Sequence, residues 1–350
     1  RSSSTLYPRD EVARTNGATL DALYGYDGLQ RLGSYDRGEL NGTNSGISGS
    51  PTLTQNWTLD STGNWNNYQQ GVVDALNQDR THNTVNEITG ITESVGLAWS
   101  TPADDANGNM TTIPQPKKLD DSFSGVWDAW NRLVKLTNDA DGDKTVAEYE
   151  YDGLGRRIVK KSFDSAGSLA ETRHYYLSSS NQVLEERIDS ATYPKQQFVW
   201  SLRFIDDLIL RDRDTTGDGA LDERLYVLSD TRFSIVALTD ATGSVQERFA
   251  YQPYGQSEVL TPAFAARSAS DYDWQSRYTG RELDSESGLY YFRARFYHAQ
   301  LGRFVGRDPL GFVDGMSQYR AYFVPGGVDP WGLMQVIQNT NPHLPAPDPN

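Results

Sequence analysis

Two Asp-Pro-x-Gly steps are the part of this chain best suited to chemistry. They are Asp308-Pro309-Leu310-Gly311 and Asp329-Pro330-Trp331-Gly332, near the end of the 350-residue sequence. Each has a plain interpretation as a turn, because Pro fixes φ and a Gly three residues after the Asp closes the bend. Each also presents an acid, so paired-carboxylate catalysis is the alternative. From the residues alone both interpretations stay open.

Other common active-site chemistries lack their residue patterns in this sequence. The chain has no cysteine, which excludes disulfides and thiolate nucleophiles. The four histidines, His82, His174, His298 and His343, do not have the spacing of metal ligands. No glycine-rich phosphate loop follows a strand, and no Gly-x-Ser-x-Gly elbow occurs. We therefore expect no cofactor, and the paired aspartates remain the candidates for catalysis.

The charge balance argues against nucleic-acid and anionic-membrane partners. Lys and Arg number 32 against 47 Asp and Glu, giving a net charge of −15, so cations that could neutralise a phosphate backbone are outnumbered. No apolar run approaches the ~18–20 residues that span a bilayer. Seven arginines nevertheless cluster around the two Asp-Pro steps, a pattern typical of structural pairing with carboxylates. They are Arg277, Arg281, Arg293, Arg295, Arg303, Arg307 and Arg320.

An aspartate followed three residues later by Gly, Asn or Gln recurs through the preceding chain. Tyr151-Asp152-Gly153-Leu154-Gly155-Arg156-Arg157 is the clearest copy, and others begin at Asp27, Asp60, Asp105, Asp128, Asp164 and Asp240. In a type I turn the first-position Asp accepts backbone hydrogen bonds, and Gly at the fourth position tolerates positive φ. The flanks alternate as strands do, so each copy predicts one β-hairpin. Regular spacing from Asp105 through Asp128 to Asp152 predicts a repeat array.

The composition favours an all-β chain of many short strands. Aromatic residues make up 11% of the sequence, and it contains 31 glycines, which suits strands joined by tight turns. A lone hairpin is marginal in water, so the predicted hairpins must pair edge to edge or stack. Segments 33–56 and 65–80 match the repeat poorly and are predicted to be loops between hairpins. Leu260–Ala266 is the predicted junction at the end of the array.

One loop carries carboxylates at calcium-binding spacing. Asp212, Asp214 and Glu223 stand at the first, third and last positions of a Ca²⁺-loop template. Thr216 occupies a position where the template has Asp or Asn, and no helix pattern flanks the loop. An acidic hairpin tip is therefore the favoured interpretation, with a weak calcium site as the alternative.

The repeat resembles a known family. Tyr-Asp-x-x-Gly-Arg, as in Tyr151–Arg156, is similar to the signature of YD repeats. These repeats occur in bacterial Rhs proteins, in the C components of insecticidal toxin complexes and in teneurins. The resemblance implies that a strip of β-hairpins spirals into a hollow shell, and that residues 1–265 form a YD-repeat segment of that shell.

The stretch around the Asp-Pro steps resembles the Rhs repeat-associated core domain. That domain has an aromatic Gly-Leu-Tyr-Tyr strand, a Leu-Gly-Arg-Phe step, a first Asp-Pro-x-Gly, a second aromatic strand and a final Asp-Pro-x-Gly-Leu. The matching segments here are Gly288–Tyr297, Leu301–Phe304, Asp308–Phe312, Tyr319–Phe323 and Asp329–Leu333. The resemblance implies that residues 266–333 are a core domain that closes the shell as a plug.

The same resemblance implies an aspartyl autoprotease within the plug. Asp308 and Asp329 would form the dyad, Arg295 would be the supporting cation, and the bond Leu333–Met334 would be cut. Two close carboxylates cannot both ionise cheaply, so one holds a proton while the other activates water. Residues 334–350 would be the segment that follows the cut.

The implied function is encapsulation of a C-terminal toxin or effector and its release by self-cleavage. The expected partners are that C-terminal segment and the rest of the Rhs shell or a B-type shell subunit. We expect a secreted or cell-surface bacterial protein whose targeting signal lies outside this chain.

A non-catalytic, teneurin-like adhesion or glycan-binding module is the alternative function. Exposed aromatic residues beside Asn and Asp would suit stacking on sugars, and Trp57, Trp65, Trp127 and Trp130 are the candidates. Packing of these rings on the buried face of the strands is the competing interpretation.

Overall fold

A computed structural model describes residues 11–14, 19–324 and 326–333. These residues form three antiparallel sheets, which confirms the all-β prediction. The described residues also include two single-turn 3₁₀ helices, Asp139–Asp141 and Tyr278–Gly280.

The first sheet is a meander of seven strands in which each strand pairs with the next along the chain. Its strands are β1 Glu11–Arg14, β2 Asp21–Tyr26, β3 Leu32–Gly38, β4 Leu53–Leu59, β5 Trp65–Gly71, β6 Leu76–His82 and β7 Ile88–Val95.

The second sheet continues the meander with fifteen strands. They are β8 Ala103–Asp104, β9 Met110–Gln115, β10 Lys118–Trp127, β11 Leu133–Asn138, β12 Lys144–Tyr151, β13 Arg157–Phe163, β14 Leu169–Leu177, β15 Val183–Ile188, β16 Gln196–Trp200, β17 Leu208–Arg213, β18 Glu223–Ser229, β19 Ile235–Thr239, β20 Val245–Tyr251, β21 Ser257–Leu260 and β22 Ala266–Arg267. We call the first two sheets together the strip.

The third sheet belongs to the predicted plug and has four short strands. They are β23 Glu282–Leu283, β24 Tyr290–Phe292, β25 Arg295–His298 and β26 Arg303–Phe304.

Because neighbouring strands are antiparallel, successive turns alternate between the two edges of the strip. We call one edge the aspartate rim, because most of its turns begin with Asp. Its turns begin at Asp27, Asp60, Asn83, Asp105, Asp128, Asp152, Ser178, Ser201, Asp230 and Gln252. Asp164 and Asp240 begin turns at the opposite rim.

The turn at Asp152 shows how the repeat motif works. Its Oδ1 accepts the backbone N–H groups of Leu154 at 2.9 Å and of Arg156 at 3.0 Å. The Gly155 N–H donates to the Asp152 carbonyl, and Gly155 has a φ of +77°, which glycine adopts at little cost. The Arg156 Nε donates to Asp152 Oδ2 at 2.7 Å. The turn chemistry predicted from sequence is therefore present in full.

Where the motif ends in arginine, that arginine also links its turn to the next one on the aspartate rim. Arg31 Nη1 donates to the carbonyl of Asp60 at 2.5 Å, and Arg156 Nη1 donates to the carbonyl of Ser178 at 3.3 Å. At another position in the array, Asn109 Nδ2 donates to Asn131 Oδ1 at 2.9 Å. At these positions the rim is thus a ladder of side chains in which one repeat binds the next.

The prediction of loops at 33–56 and 65–80 is correct for most of the first segment and wrong for most of the second. In the first segment β3 and β4 cover only the two ends and leave 39–52 outside strands, whereas β5 and β6 cover most of the second. The second segment forms strands because Trp65 and Tyr68 are buried while Asn66 and Gln69 are exposed. Polar outward residues weakened the apparent pattern without changing the strand period.

The segment Leu260–Ala266 is a hairpin turn. Phe264 N–H donates to the Thr261 carbonyl, and Ala266 and Arg267 pair back onto Leu260 and Val259. The strip therefore ends at Arg267.

Aromatic side chains of the predicted plug pack against the strip. Tyr290, Phe292, Tyr297, Phe304 and Phe323 are buried, and neighbouring rings among the last four have centroids 5.2–6.1 Å apart. The same hydrophobic cluster includes aromatic rings of the first sheet and of the turn between β20 and β21. Aromatic pairs of this kind add about 0.5–1.5 kcal/mol each beyond area burial.

A buried ionic cluster also joins the plug to the strip. On β13, Arg157 lies 2.8 Å from Asp284 and 2.7 Å from Glu282, and Lys160 lies 3.1 Å from Asp284. The side chains of Arg157, Lys160 and Asp284 are at most 3% exposed. Burying charges costs several kcal/mol per ion unless they are paired, so this cluster specifies how the plug docks.

Candidate active site

Arg295 brings the two predicted aspartates together. It lies at the start of β25 and is 6% exposed. Its Nη2 lies 2.8 Å from Asp308 Oδ2 and 3.5 Å from Asp329 Oδ2. The three residues predicted from sequence as a dyad and its supporting cation therefore share one buried position.

The Arg295 guanidinium is held from several sides. Nη1 donates to the Gln318 carbonyl at 3.0 Å, and Nε donates to the Gly332 carbonyl. The guanidinium carbon lies 3.6 Å from the centroid of the Phe304 ring, a favourable cation–π contact. Burial lowers the pKa of Arg295, and the neighbouring Asp308 carboxylate opposes that shift.

Asp308 is both a turn residue and a member of the acidic pair. Its Oδ1 accepts the Leu310 N–H at 2.8 Å, and its carbonyl accepts the Gly311 N–H at 3.0 Å. Its Oδ2 is left to face Arg295. Burial raises the pKa of Asp308, and Arg295 opposes the rise. The turn and acid interpretations are therefore compatible, because the turn orients the carboxylate.

Asp329 is the more buried acid, at 3% exposure. Burial raises its pKa to about 6, Arg295 opposes the rise, and the nearby acids Asp314 and Asp308 add to it. Its Oδ1 accepts the backbone N–H of Leu333 at 3.0 Å. That bond folds the chain back, so the residue at the predicted cut lies beside the acid.

The three residues before Leu333 are fixed through their carbonyl groups. The Pro330 carbonyl accepts hydrogen bonds from Arg281 and Arg293, and the Trp331 carbonyl accepts the Ala294 N–H at 3.0 Å. The Gly332 carbonyl accepts from Arg295. A chain held at consecutive carbonyls resembles a substrate bound in one register.

Gly332 allows this close approach. Its φ is +66°, and a Cβ there would lie 2.3 Å from the carbonyl oxygen of Phe292. Any side chain would therefore force the segment away from β24 and β25.

A cavity of about 340 Å³ opens onto one side of the acidic pair. Asp308 and Arg295 line it, together with Trp127, Trp130 and Tyr151 from the strip. It is large enough to hold several water molecules. Met334, the second residue of the predicted scissile bond, lies outside the described residues.

Sequence reasoning missed the residues that hold Pro330. Arg281 and Arg293 were recognised only as members of an arginine cluster, and Asp206, which pairs with both, was not singled out. The pairing of Arg281, Arg293, Arg295 and Arg307 with carboxylates agrees with the structural role predicted for that cluster. Asp206 carries no local signal, because its role depends on a contact far away in sequence.

Similar proteins include a tRNA nuclease, a DNA deaminase toxin and a toxin subunit. The chain is 27% identical over 256 residues to the tRNA nuclease WapA of Bacillus subtilis, covering 71% of this chain and 9% of that protein. It is 28% identical over 261 residues to double-stranded DNA deaminase toxin A of Burkholderia cenocepacia, covering 69% and 18%. It is 26% identical over 334 residues to toxin subunit YenC1 of Yersinia entomophaga, covering 88% and 32%. No family model matches the chain.

The fold is similar to that of a solved structure. The crystal structure of TcdB2-TccC3 without hypervariable C-terminal region aligns with a TM-score of 0.65 at 22% identity, over 90% of this chain and 15% of that one. Together with the relatives and the YD turns, this confirms the resemblance expected from the sequence. The chain is similar to Rhs/YD-repeat proteins in sequence and in fold. It spans a third or less of the length of each of these relatives.

The tryptophans proposed for glycan binding lie in different environments. Trp57 and Trp65 are each 6% exposed and pack on each other in the core. Trp127 is half-buried and donates its indole N–H to the Met110 carbonyl at 3.0 Å. Trp130 is 76% exposed, with Arg132 over its ring. Burial of the first two argues against a binding surface made of all four.

The calcium alternative has no support in the hairpin between β17 and β18. Asp212 pairs with Arg224 at 2.6 Å, and Glu223 pairs with Arg211 and Arg213 at 2.9 Å. Asp214 accepts backbone N–H groups within its own turn. The carboxylates are thus committed to different partners, and the described residues contain no acidic or histidine group arranged to hold a metal. The segment is a hairpin tip, as the favoured interpretation stated.

None of the helical turns in the described ranges has the length or apolar character needed to cross a membrane.

Proposed function

We propose that this chain is part of an Rhs shell that cuts its own backbone between Leu333 and Met334. The observation that carries the proposal is Arg295, which contacts Asp308, Asp329 and the carbonyl of Gly332 at once. A turn that served only to reverse the chain would not need two buried acids on one cation.

The environments of the two aspartates favour different roles, with one acting as the base and the other as the acid. Asp308 lies nearer to Arg295 and lines the cavity, so it is the ionised member and the base that faces water. Asp329 is the more buried, and its pKa of about 6 favours the protonated form at mildly acidic pH. Two acids whose environments push their pKa values apart are suited to acid and base roles.

The proposed reaction is hydrolysis of one peptide bond. Asp308 removes a proton from a water molecule as the water oxygen attacks the Leu333 carbonyl carbon. The proton on Asp329 passes to the carbonyl oxygen, and the tetrahedral intermediate then collapses with breakage of the C–N bond. As that bond breaks, the Met334 nitrogen takes up the proton that Asp308 removed from the water, and one hydroxyl of the intermediate returns its proton to Asp329. The products are the free amine of Met334 and a carboxylic acid on Leu333, which then ionises.

The scissile bond belongs to the same chain as the acids, and this covalent link compensates for weak activation of the water. Asp329 and the predicted cut are part of one tight turn closed by the Leu333 N–H. Effective molarities of well-oriented intramolecular reactions reach about 10⁵–10⁸ M. A single turnover by a weakly activated water is therefore sufficient.

The purpose of the cut is release of a C-terminal toxin or effector that the shell encloses. One support is that the same region of sequence matches a tRNA nuclease, a DNA deaminase toxin and a toxin subunit. Relatives with such different names share this region, so it is suited to carrying an activity that resides elsewhere in each protein. The rest of the shell, or a separate subunit like TcdB2 beside TccC3, completes the enclosure.

The test is intact-mass analysis and N-terminal sequencing of the purified chain and its Asp308→Asn variant. We expect the wild-type chain to be cut with Met334 as the new N-terminus, and the variant to remain whole. Asp207→Asn, at a residue paired with the exposed Arg203, is the matched control and should be cut normally. An uncut wild-type chain, or equal cutting in Asp308→Asn, would remove the protease assignment.

A further inference from the structure

The turn between β16 and β17 on the aspartate rim reaches into the plug through Asp206. This aspartate is 2% exposed. One of its oxygens forms ion pairs with Arg281 and with Arg293, the latter at 2.9 Å. Asp206 therefore serves as the shared counter-ion of two plug arginines.

Both arginines extend past Asp206 to the segment before the cut. Arg281 Nη1 donates to the Pro330 carbonyl at 3.1 Å, and Arg293 Nη1 donates to the same oxygen. A second turn of the aspartate rim assists, because the carbonyl of Asn181 accepts Arg293 Nε at 3.1 Å. A continuous chain of contacts thus runs from the strip to Pro330.

The strip and the plug are in such close contact at this point that a displacement of Asp206 would also displace the plug. A Cβ on Gly280 would lie 3.0 Å from the Asp206 carbonyl oxygen and 3.1 Å from its Cβ. Removing the Asp206 charge would leave two buried guanidinium groups beside each other without their shared carboxylate, and buried unpaired charges are expelled or rearranged. The Pro330 carbonyl would then lose its fixed donors.

We propose that Asp206 is a positioning residue for self-cleavage, supplied by the strip and acting through Arg281 and Arg293 on the Pro330 carbonyl. The inference rests on the proposed function and adds a condition to it. The segment that ends at Leu333 is in register with the acids only when the β16–β17 turn is docked on the plug. Cleavage would accordingly report that the shell has closed.

The first experiment measures position without requiring cleavage. Hydrogen exchange is followed in full-length Asp308→Asn and in the same chain with Asp206→Asn added. The amides of Ala294 and Leu333 are the probes, since they donate to Trp331 and Asp329. We expect their exchange to accelerate by about tenfold or more through local opening, while the amides of β4 and β5 are unchanged.

The second experiment measures the cleavage rate during cell-free synthesis. Asp206→Asn should slow the cut by about 10²-fold, the loss expected for a misplacement on the scale of an ångström. Asp206→Glu keeps the charge and should recover part of the rate. Asp207→Asn, in the same turn but paired with an exposed arginine, should be cut at the wild-type rate with an unchanged unfolding midpoint.

The outcomes separate the two proposals. If the wild-type chain is cut and Asp206→Asn is cut within about twofold of it, Asp206 has no positioning role and only this inference fails. Equal slowing in Asp206→Asn and Asp207→Asn would also overturn it, because the effect would then be general damage to the turn. If the wild-type chain is never cut, the protease proposal fails and this inference falls with it, whatever the exchange rates show.

Discussion

At the scale of single residues, the proposed hydrolysis requires that one of the two acids holds a proton and the other does not. Asp308 and Asp329 meet the same nitrogen of Arg295, and burial raises the pKa of both. One cation can neutralise one carboxylate, so a second charge in the same buried space is unfavourable. The arrangement therefore favours one ionised and one protonated acid.

The raised pKa of Asp329 predicts a pH-dependent contribution to stability. A folded-state pKa of about 6, against an ordinary 3.8, gives stability that is present below pH 3.8 and lost as pH rises through about 6. Asp329→Asn leaves Asp308 as the carboxylate partner of Arg295 and should remove that loss. We expect this variant to gain up to about 2–3 kcal/mol on the wild-type chain at pH 8, and little at pH 4. Urea unfolding at both pH values measures the difference, and an equal gap at the two would contradict it.

Local motifs identified Asp308, Asp329 and Arg295, because each stands in a short, ordered pattern of residue types. Asp206 has no such pattern around it and enters the site through a contact between the strip and the plug. A sequence pattern records neighbours along the chain, whereas a shared counter-ion between distant segments depends on how the strip is wound.

At the scale of elements, the predicted cut depends on the tight turn that Gly332 allows next to β24 and β25. Gly332→Ala places a Cβ against the Phe292 carbonyl at a positive φ. We expect the cut to be abolished or slowed by at least about 10²-fold, with a cost in stability of about 1–3 kcal/mol. Mass analysis and thermal unfolding check the two effects.

Gly243→Ala is the control for that substitution. Gly243 has a comparable φ of +82°, but a Cβ added there would meet no atom within 4 Å. The variant should lose a similar amount of stability through backbone strain, and it should be cut normally. Loss of cutting in both variants would show that backbone strain anywhere in the chain is sufficient to prevent the cut, and that the effect is not specific to Gly332.

The rim ladder predicts a difference between the two edges of the strip. Asp152→Ala removes the turn bonds and also the partner of Arg156, which links to Ser178. Asp164→Ala, on the opposite rim, removes only the backbone bonds of its turn. We expect Asp152→Ala to cost up to about 1 kcal/mol more, the value of a partly exposed ion pair. Chemical denaturation of both variants measures the gap, and equal costs would mean that the ladder adds nothing.

The strand elements were predictable where turn residues were regular and were missed where they were not. The hairpin at Asp152 follows its motif fully, whereas the sequence predicts a loop at β5, where Asn66, Asn67, Gln69 and Gln70 accompany Trp65. The turn between β6 and β7 uses Asn83 in place of Asp and makes the same backbone bonds. The side-chain oxygen of Asn83 therefore does what an Asp oxygen does in the motif, although the residue is not Asp.

At the scale of the whole molecule, the plug is held by charge as well as by aromatic packing. Asp284→Asn leaves Arg157 and Lys160 short of one buried partner, which should cost about 3–5 kcal/mol. The control is Glu150→Gln, whose pair with Lys161 is exposed and is worth about 0–1 kcal/mol. Thermal unfolding separates the two, and near-equal costs would show that the buried cluster does not secure the plug.

The alternation of turns between two rims restricts how such a shell can change in length. Adding a single strand would move every later turn to the other edge, so the turns that carry Asn181 and Asp206 would face away from the plug arginines. Strands added or lost in pairs keep each turn on its own edge. Recombination among related genes would therefore preserve a working chain only when the exchanged pieces contain whole hairpins.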